Sequence, residues 1–152
     1  MPGYHTGPAA HIGHLVGSRH SHLDGGEYSI DQGALKSGEI SEEETVKKLL
    51  DEEAWRQILS SLVVCFFARG IYDPETVKRC LNVAGFHVEA NELEWLGYEV
   101  LKEKNRFKVR EGFDPDKLRI PSRIYETASP RGEITEEMIR SGVADFFKKL
   151  GA

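Results

Sequence analysis

The chain has 152 residues, which is the length of one ordinary domain with a single core. Its hydrophobic content of 39% and charged content of 30% are typical of soluble globular proteins. The formal net charge of −5 excludes a general electrostatic attraction to nucleic acids or to anionic membranes.

The longest apolar run spans residues 62–68, far below the roughly 20 residues that cross a bilayer. The N-terminus, MPGYHTGPAA, lacks the basic start and apolar centre of a signal peptide. We therefore expect a cytoplasmic protein in which Cys65 and Cys80 are reduced thiols rather than a disulfide.

The first forty residues differ in composition from the rest of the chain. They contain eight glycines and five histidines: Gly3, Gly7, Gly13, Gly17, Gly25, Gly26, Gly33, Gly38, His5, His11, His14, His20 and His22. Each glycine inside a helix costs about 1 kcal/mol relative to alanine. We predict an irregular segment over residues 1–40, in which at most Pro8–Val16 forms a short helix.

Conventional helix signals begin at residue 41. Ser41 and Glu44 form a capping-box pattern, which predicts a helix over residues 42–51. Apolar residues repeating at spacings of three and four then predict a second helix over residues 53–68. Cys65 lies beside this apolar stripe, near the end of the second helix.

Three more helices are predicted in the second half. Asp73 and Pro74 start the third, which Gly85 ends; the fourth spans residues 91–105, and Thr135 starts the last. Prolines over residues 112–130 predict an irregular surface crossing. The sequence thus predicts an all-α fold of about five helices, with a helical domain over residues 41–152 preceded by the Gly/His-rich segment 1–40, packed on that domain or on a missing partner.

The histidines are the first candidates for chemistry. His11 and His14 are three residues apart, and His20 and His22 flank Ser21, so either pair could reach one metal ion. An unliganded surface position is favoured for most of them, because no cysteine accompanies them in a zinc-ligand pattern. Asp24 follows close after His22, and a carboxylate beside an imidazole raises its basicity.

The cysteines are the second candidates. Free cysteines in apolar helices behave mostly as small buried hydrophobes, so the residue pattern alone favours a packing role for Cys65 and, more strongly, for Cys80. No CxxC, GxGxxG or GxSxG motif accompanies either residue.

Three segments together resemble the C-terminal region of tungsten-containing aldehyde ferredoxin oxidoreductases. These segments are HLVGSRHSHLD over residues 14–24, SLVVCFFARGIYD over 61–73 and NRFKVREGFDPDKLRIPSRIYET over 105–127. The last is the most specific, because helix patterning alone would not produce its order of aromatic, REGF and proline-containing elements. The resemblance extends over nearly the whole chain.

The resemblance implies an enzyme in which a tungsten bis-pterin site oxidises aldehydes to carboxylic acids and a 4Fe-4S cluster passes electrons to ferredoxin. Three cluster cysteines lie far upstream in that family, and Cys65 matches the fourth. The family places an aspartate and a glycine before this cysteine, where the present chain has Ser60 and Val63. The resemblance also implies that Arg19 approaches the metal-pterin site and that His22 is a catalytic proton donor or a hydrogen-bonding group for the substrate oxygen.

The pterin-binding domain and the three-cysteine motif of the family have no counterpart in these residues. A cluster needs four ligands, so the chain alone is expected to be inactive and to hold no cofactor. We expect a partner polypeptide that carries the missing parts, with ferredoxin in the intact assembly, or else an orphan fragment. An apolar face left uncovered by the missing domains would favour self-association.

Two alternatives remain open: a non-catalytic helical interaction domain that has lost both cofactors, and a small metal-binding protein that uses His11, His14, His20 and His22. The aldehyde substrate and the choice between tungsten and molybdenum also remain open.

Overall fold

The computed structural model describes residues 5–18, 25–38 and 40–151. It contains six helices in these ranges: α1 (Pro8–Val16), α2 (Glu27–Ser37), α3 (Glu42–Ser61), α4 (Pro74–Val83), α5 (Ala90–Arg110) and α6 (Glu136–Leu150). The same ranges contain no β-strand, which confirms the all-α prediction. No helix in them is long and apolar enough to cross a membrane.

Side-chain caps start three of the helices where the sequence predicts them. Ser41, Asp73 and Thr135 each accept a hydrogen bond from the backbone N–H three residues later, at 3.1, 2.7 and 3.1 Å. Each cap satisfies an N–H that the first turn of the helix leaves without a partner. The predicted beginnings of α3, α4 and α6 are therefore confirmed.

The prediction of two helices over residues 42–68 is wrong, because α3 continues through the predicted break and ends at Ser61. The acidic residues at the break do not interrupt it, since Glu53 is buried and takes part in the packing. Beyond the helix Val63 adopts a left-handed backbone with φ of 57°, and only a short 3₁₀ turn, Phe66–Ala68, follows. Cys65 thus lies in a loop and not in a helix.

The first forty residues contain more regular structure than predicted. The helix at Pro8–Val16 is confirmed, but α2 is a further helix that the sequence reading missed. Its buried residues are Glu27, Asp31 and Ala34, so polar contacts rather than an apolar stripe hold it in place. A search for apolar periodicity cannot detect such a helix.

Glycines set the closest approaches between the helices of the core. A Cβ on Gly97 of α5 would lie 2.5 Å from the carbonyl oxygen of Ala54 in α3, and one on Gly142 of α6 would lie 2.3 Å from Ile12 in α1. Helix α3 therefore packs directly on α5, while α6 packs on α1 and α3. The central cluster comprises Ile12, Val16, Val46, Leu49, Leu50, Ala54, Leu101, Ile134, Ile139, Val143, Phe146, Phe147 and Leu150.

The irregular crossing predicted over residues 112–130 is also present. It contains two short 3₁₀ turns, Pro115–Lys117 and Ser122–Ile124, and its apolar residues pack against the core. Helix α5 extends to Arg110, five residues beyond its predicted end at residue 105.

A buried carboxylate attaches α1 to the rest of the molecule. Asp31, on α2, is fully buried and accepts hydrogen bonds from the backbone N–H groups of Ala9 at 3.3 Å and Ala10 at 2.8 Å. Arg131 donates to the same carboxylate at 2.9 Å. A Cβ on Gly7 would lie 2.4 Å from the Asp31 carboxylate, so this glycine lets α2 supply the cap that α1 lacks.

We predict that Asp31→Ala lowers the free energy of unfolding by about 3–5 kcal/mol, because it leaves the nearly buried Arg131 and two backbone N–H groups without a partner. Urea denaturation measures this change. Glu44→Ala removes an exposed ion pair with Lys48 and should cost under about 1 kcal/mol. Equal losses in the two variants would contradict the assignment of Asp31 as a structural anchor.

Candidate functional site

Cys65 lies in the loop after α3, at the start of the Phe66–Ala68 turn, and its side chain is exposed. The expectation that it packs in the core is therefore wrong. Cys80 is exposed as well, on α4, so the packing role predicted for it is also wrong. Both thiols are accessible to ligands or reagents, and they differ in their surroundings.

Apolar side chains surround Cys65 in sequence and are unusually exposed. The exposed fraction is 90% for Val63, 81% for Phe67 and 67% for Ile71. We call Val63, Cys65, Phe67 and Ile71 the Cys65 face. Clustered exposed apolar residues usually mark an interaction surface, so an exposed thiol here lies where a partner would cover it.

The backbone at Val63 is strained. A β-branched residue with φ of 57° is an outlier, because its side chain crowds the backbone in the left-handed region. Glycine adopts this conformation without that cost. Val63 is also the position at which the resemblance places a glycine, and a glycine would adopt this backbone without strain.

Ser60 stands at the position where the resemblance places an aspartate, and it has a local role here. Its hydroxyl donates a hydrogen bond to the carbonyl oxygen of Arg56 at 2.7 Å, within α3. The loop therefore offers neither of the two residues that the resembling family places before the cysteine.

Arg56 supports the loop from inside. Its side chain is almost fully buried, donates to Glu52 at 2.8 Å and lies 5.7 Å from the centre of the Phe66 ring. A buried guanidinium requires such partners. Phe66, the residue that follows Cys65, thus lies against the buried guanidinium of Arg56.

Two buried carboxyl groups lie next to Arg56. Glu53 accepts a hydrogen bond from the backbone N–H of Gly26 at 3.0 Å, and burial raises its pKa to about 7, with the Glu27 carboxylate adding to the rise and Arg56 opposing it. Burial likewise raises the pKa of Glu27. His14 Nδ1 lies 3.8 Å from Glu27, so the pair is close enough for electrostatic interaction.

Arg19 and His22, the residues predicted to bind the cofactor and to act in catalysis, lie outside the described residues. The residues on both sides of this stretch contact α3: Ser18 accepts a hydrogen bond from Gln57 at 3.1 Å, and Gly26 donates one to Glu53. Glu53 and Gln57 are one helical turn apart. Sequence reasoning missed both, although two polar residues at a spacing of four on the core side of α3 could have drawn attention to them.

Two of the described histidines contact each other. His5 Nδ1 and His11 Nε2 are 2.9 Å apart, and His5 Nε2 is 2.7 Å from the carbonyl oxygen of Thr127. Burial lowers the pKa of His11 to about 4, so its imidazole is neutral near pH 7. In the described ranges no group of three or more His, Cys, Asp or Glu residues could hold a metal ion, and His20 and His22 lie outside those ranges.

Cys65 fits an iron-sulfur cluster as a single ligand. Its thiol is exposed, so a metal centre carried by another domain can reach it. Four cysteines are required in all, and the chain's other cysteine, Cys80, lies on a different element. The remaining ligands would have to come from outside these residues.

Comparison with known families gives one match. The model described as "Aldehyde ferredoxin oxidoreductase, domains 2 & 3" matches residues 4–151. No curated protein and no solved structure matches the chain.

We predict that Val63→Gly raises the free energy of unfolding by about 1 kcal/mol, because glycine removes the strain of the left-handed backbone. Urea denaturation would show a higher midpoint. Val83 has the same exposure but ends the regular helix α4, so Val83→Gly should be destabilising. A loss of stability in both variants would contradict a strained loop.

We predict that Glu53→Gln changes the pH dependence of stability. The pKa of Glu53 rises from 4.5 to about 7 on folding. Between these two pH values the folded protein keeps a proton on Glu53 that the unfolded chain has lost, so the free energy of unfolding falls as the pH increases. The part of the decline that comes from Glu53, on the order of 2 kcal/mol, should be missing in the variant, whereas the part that comes from the raised pKa values of Glu27 and Asp31 remains. The lowered pKa of His11 makes the free energy of unfolding rise with pH. This effect is the same in both proteins, so it cancels when one stability profile is subtracted from the other.

Denaturation at several pH values between 5 and 8 measures the two profiles. Parallel curves for the native protein and Glu53→Gln would show that Glu53 is ionised at the same pH in the folded and unfolded states, which would contradict its buried placement.

Proposed function

The chain belongs to the aldehyde ferredoxin oxidoreductase family, and from this we propose that it forms the C-terminal part of an enzyme that oxidises an aldehyde to a carboxylate and passes the electrons to ferredoxin. In this proposal Cys65 supplies one iron ligand and the N-terminal segment contributes to the wall of the substrate site. The chain is inactive by itself, because most of the catalytic machinery lies elsewhere.

The exposure of Cys65 is the observation that carries the proposal. A structural cysteine would be expected in the core, whereas this thiol lies on an exposed apolar face. An apolar surface of this kind is stable in water only at a cost, which burial against a partner removes. A thiol at the centre of such a contact is in a suitable place to bind a metal centre carried by that partner.

The matching family model describes domains 2 and 3, which implies that a further domain or chain supplies the rest of the enzyme. We propose that this part carries the pterin-binding domain and the other three cysteines. The family's tungstopterin, when bound, supplies the oxidation chemistry, and the cluster conducts the electrons. Ser60 and Val63 lack the groups that the family uses beside the pterin, so we assign pterin contact in this chain to Arg19.

We assign to His22 the hydrogen bond to the substrate oxygen. The described structure supports this role only through the flanking contacts: Gln57 binds Ser18, and Glu53 binds Gly26. Both contacts originate on α3, which also leads into the Cys65 loop. One helix therefore supports the flanks of the proposed substrate-site segment and the proposed cluster ligand.

The second candidate function is a helical interaction domain that has lost its cofactors. The replacement of the family's aspartate and glycine by Ser60 and Val63 favours it, because a loop that no longer contacts a pterin need not keep those residues. The two functions predict the same exposed face and differ in whether the Cys65 thiol binds iron.

We predict that Cys65→Ser removes most of the 4Fe-4S cluster and of the aldehyde-dependent ferredoxin reduction from the enzyme isolated from its source through a tag on this chain. The thiolate is a ligand that a hydroxyl group does not replace well. Cluster absorbance and iron analysis measure the loss. Cys80→Ser is the matched control, because this thiol is also exposed but lies outside the Cys65 face.

Iron content that is equal in the two variants would contradict Cys65 as an iron ligand, and the absence of iron from both would favour the interaction domain. Isolation of the tagged chain with neither iron nor a further domain would contradict the proposal as a whole.

A further inference from the structure

Helix α5 has two faces that are suited to packing. Its inner face, formed by Leu93, Gly97, Leu101 and Asn105, is buried. Its outer face carries Leu96, Val100, Glu103 and Phe107, which line a groove of about 770 Å³ together with neighbouring side chains. Leu96 is 45% exposed and Phe107 is 55% exposed. A helix with apolar residues on two faces is normally packed on both of them. Within the described residues α5 contacts α3 and α4, and its outer face stays about half exposed.

The outer residues are spaced four, three and four positions apart. This is the spacing of the seam residues of a two-helix coiled coil, with Glu103 as the one charged residue in the seam. We call Leu96, Val100, Glu103 and Phe107 the α5 seam. The seam spans about three helical turns, so it is suited to one other helix and not to a broad surface.

Charge is divided unevenly along α5. The N-terminal half carries three acidic residues, Glu92, Glu94 and Glu99, and no basic ones. The C-terminal half carries five basic residues, Lys102, Lys104, Arg106, Lys108 and Arg110, against the single acidic Glu103. A second α5 in the opposite direction would place each acidic half beside a basic half, whereas a parallel one would place like charges together.

We propose that α5 pairs antiparallel with α5 of a second copy of this chain, through the α5 seam. Leu96 of one copy then packs against Phe107 of the other, and Val100 lies opposite Glu103. Beside the seam, Glu99 of each copy faces Arg106 of the other, giving two equivalent ion pairs. The pairing is two-fold symmetric, as most interfaces between identical chains are.

The residues of these ion pairs are available on the surface of one copy. Glu99 pairs with Lys102, and Arg106 pairs with Glu103, each within its own helix; the first pair is about one third exposed and the second is mostly exposed. Ion pairs in contact with solvent contribute little to stability, so exchanging these two for pairs between copies costs little. Glu103 is the unfavourable element, since pairing brings its carboxylate close to Val100 of the other copy.

Sedimentation equilibrium of the chain over a range of concentrations tests the pairing. Glu103→Leu should tighten the dimer about tenfold, because it replaces a charge in the seam by an apolar side chain. Glu94→Leu is the matched control: it adds the same side chain to the opposite side of α5 and should leave the association constant unchanged.

A charge exchange tests the direction of the helices. Glu99→Arg and Arg106→Glu should each weaken the dimer, and the double variant should restore it, since the ion pairs form again with their charges reversed.

A monomer at all concentrations, including for Glu103→Leu, would overturn the proposal, as would equal effects of Glu103→Leu and Glu94→Leu. The same applies if the enzyme isolated from its source contains one copy of this chain with the α5 seam protected from hydrogen exchange, because another domain would then cover the seam. None of these outcomes involves iron, so they are separate from the test of Cys65.

Discussion

Buried polar and ionisable groups, together with apolar contacts, hold α1 and α2 against the helical core. Asp31 caps α1 from α2 and pairs with Arg131, while Glu53 of α3 receives the backbone N–H of Gly26. A buried carboxylate is tolerated only when its oxygens have partners, so the positions of these backbone groups are closely fixed. Glycine is needed at Gly7, where a side chain would displace the carboxylate.

The same arrangement connects the two segments that we propose to be functional. Helix α3 carries Glu53 and Gln57, which bind the flanks of the N-terminal segment, and Arg56, which lies near the Phe66 ring in the Cys65 loop. A change in the packing of α3 would therefore affect both segments together. Rigid support from one helix is what a site with precise geometry requires.

Local signals in the sequence predicted the beginnings of α3, α4 and α6, because Ser41, Asp73 and Thr135 act through hydrogen bonds within one turn. They did not predict α2, whose buried face is polar and depends on α1 and α3. Nor did they predict the exposure of Cys65, since an apolar sequence around a cysteine is equally consistent with a core and with a surface that a partner covers. The family resemblance favoured a surface position for Cys65, because it depends on the identity and order of the residues. Periodicity depends only on which residues are apolar.

The central claim is that the Cys65 face is open in this chain and covered in the complete enzyme. Alkylation with iodoacetamide followed by mass spectrometry measures it directly, comparing the chain alone with the enzyme isolated from its source. Our account predicts that both thiols react in the chain alone, whereas in the enzyme Cys80 still reacts and Cys65 does not. Equal modification of Cys65 in the two samples would contradict the account.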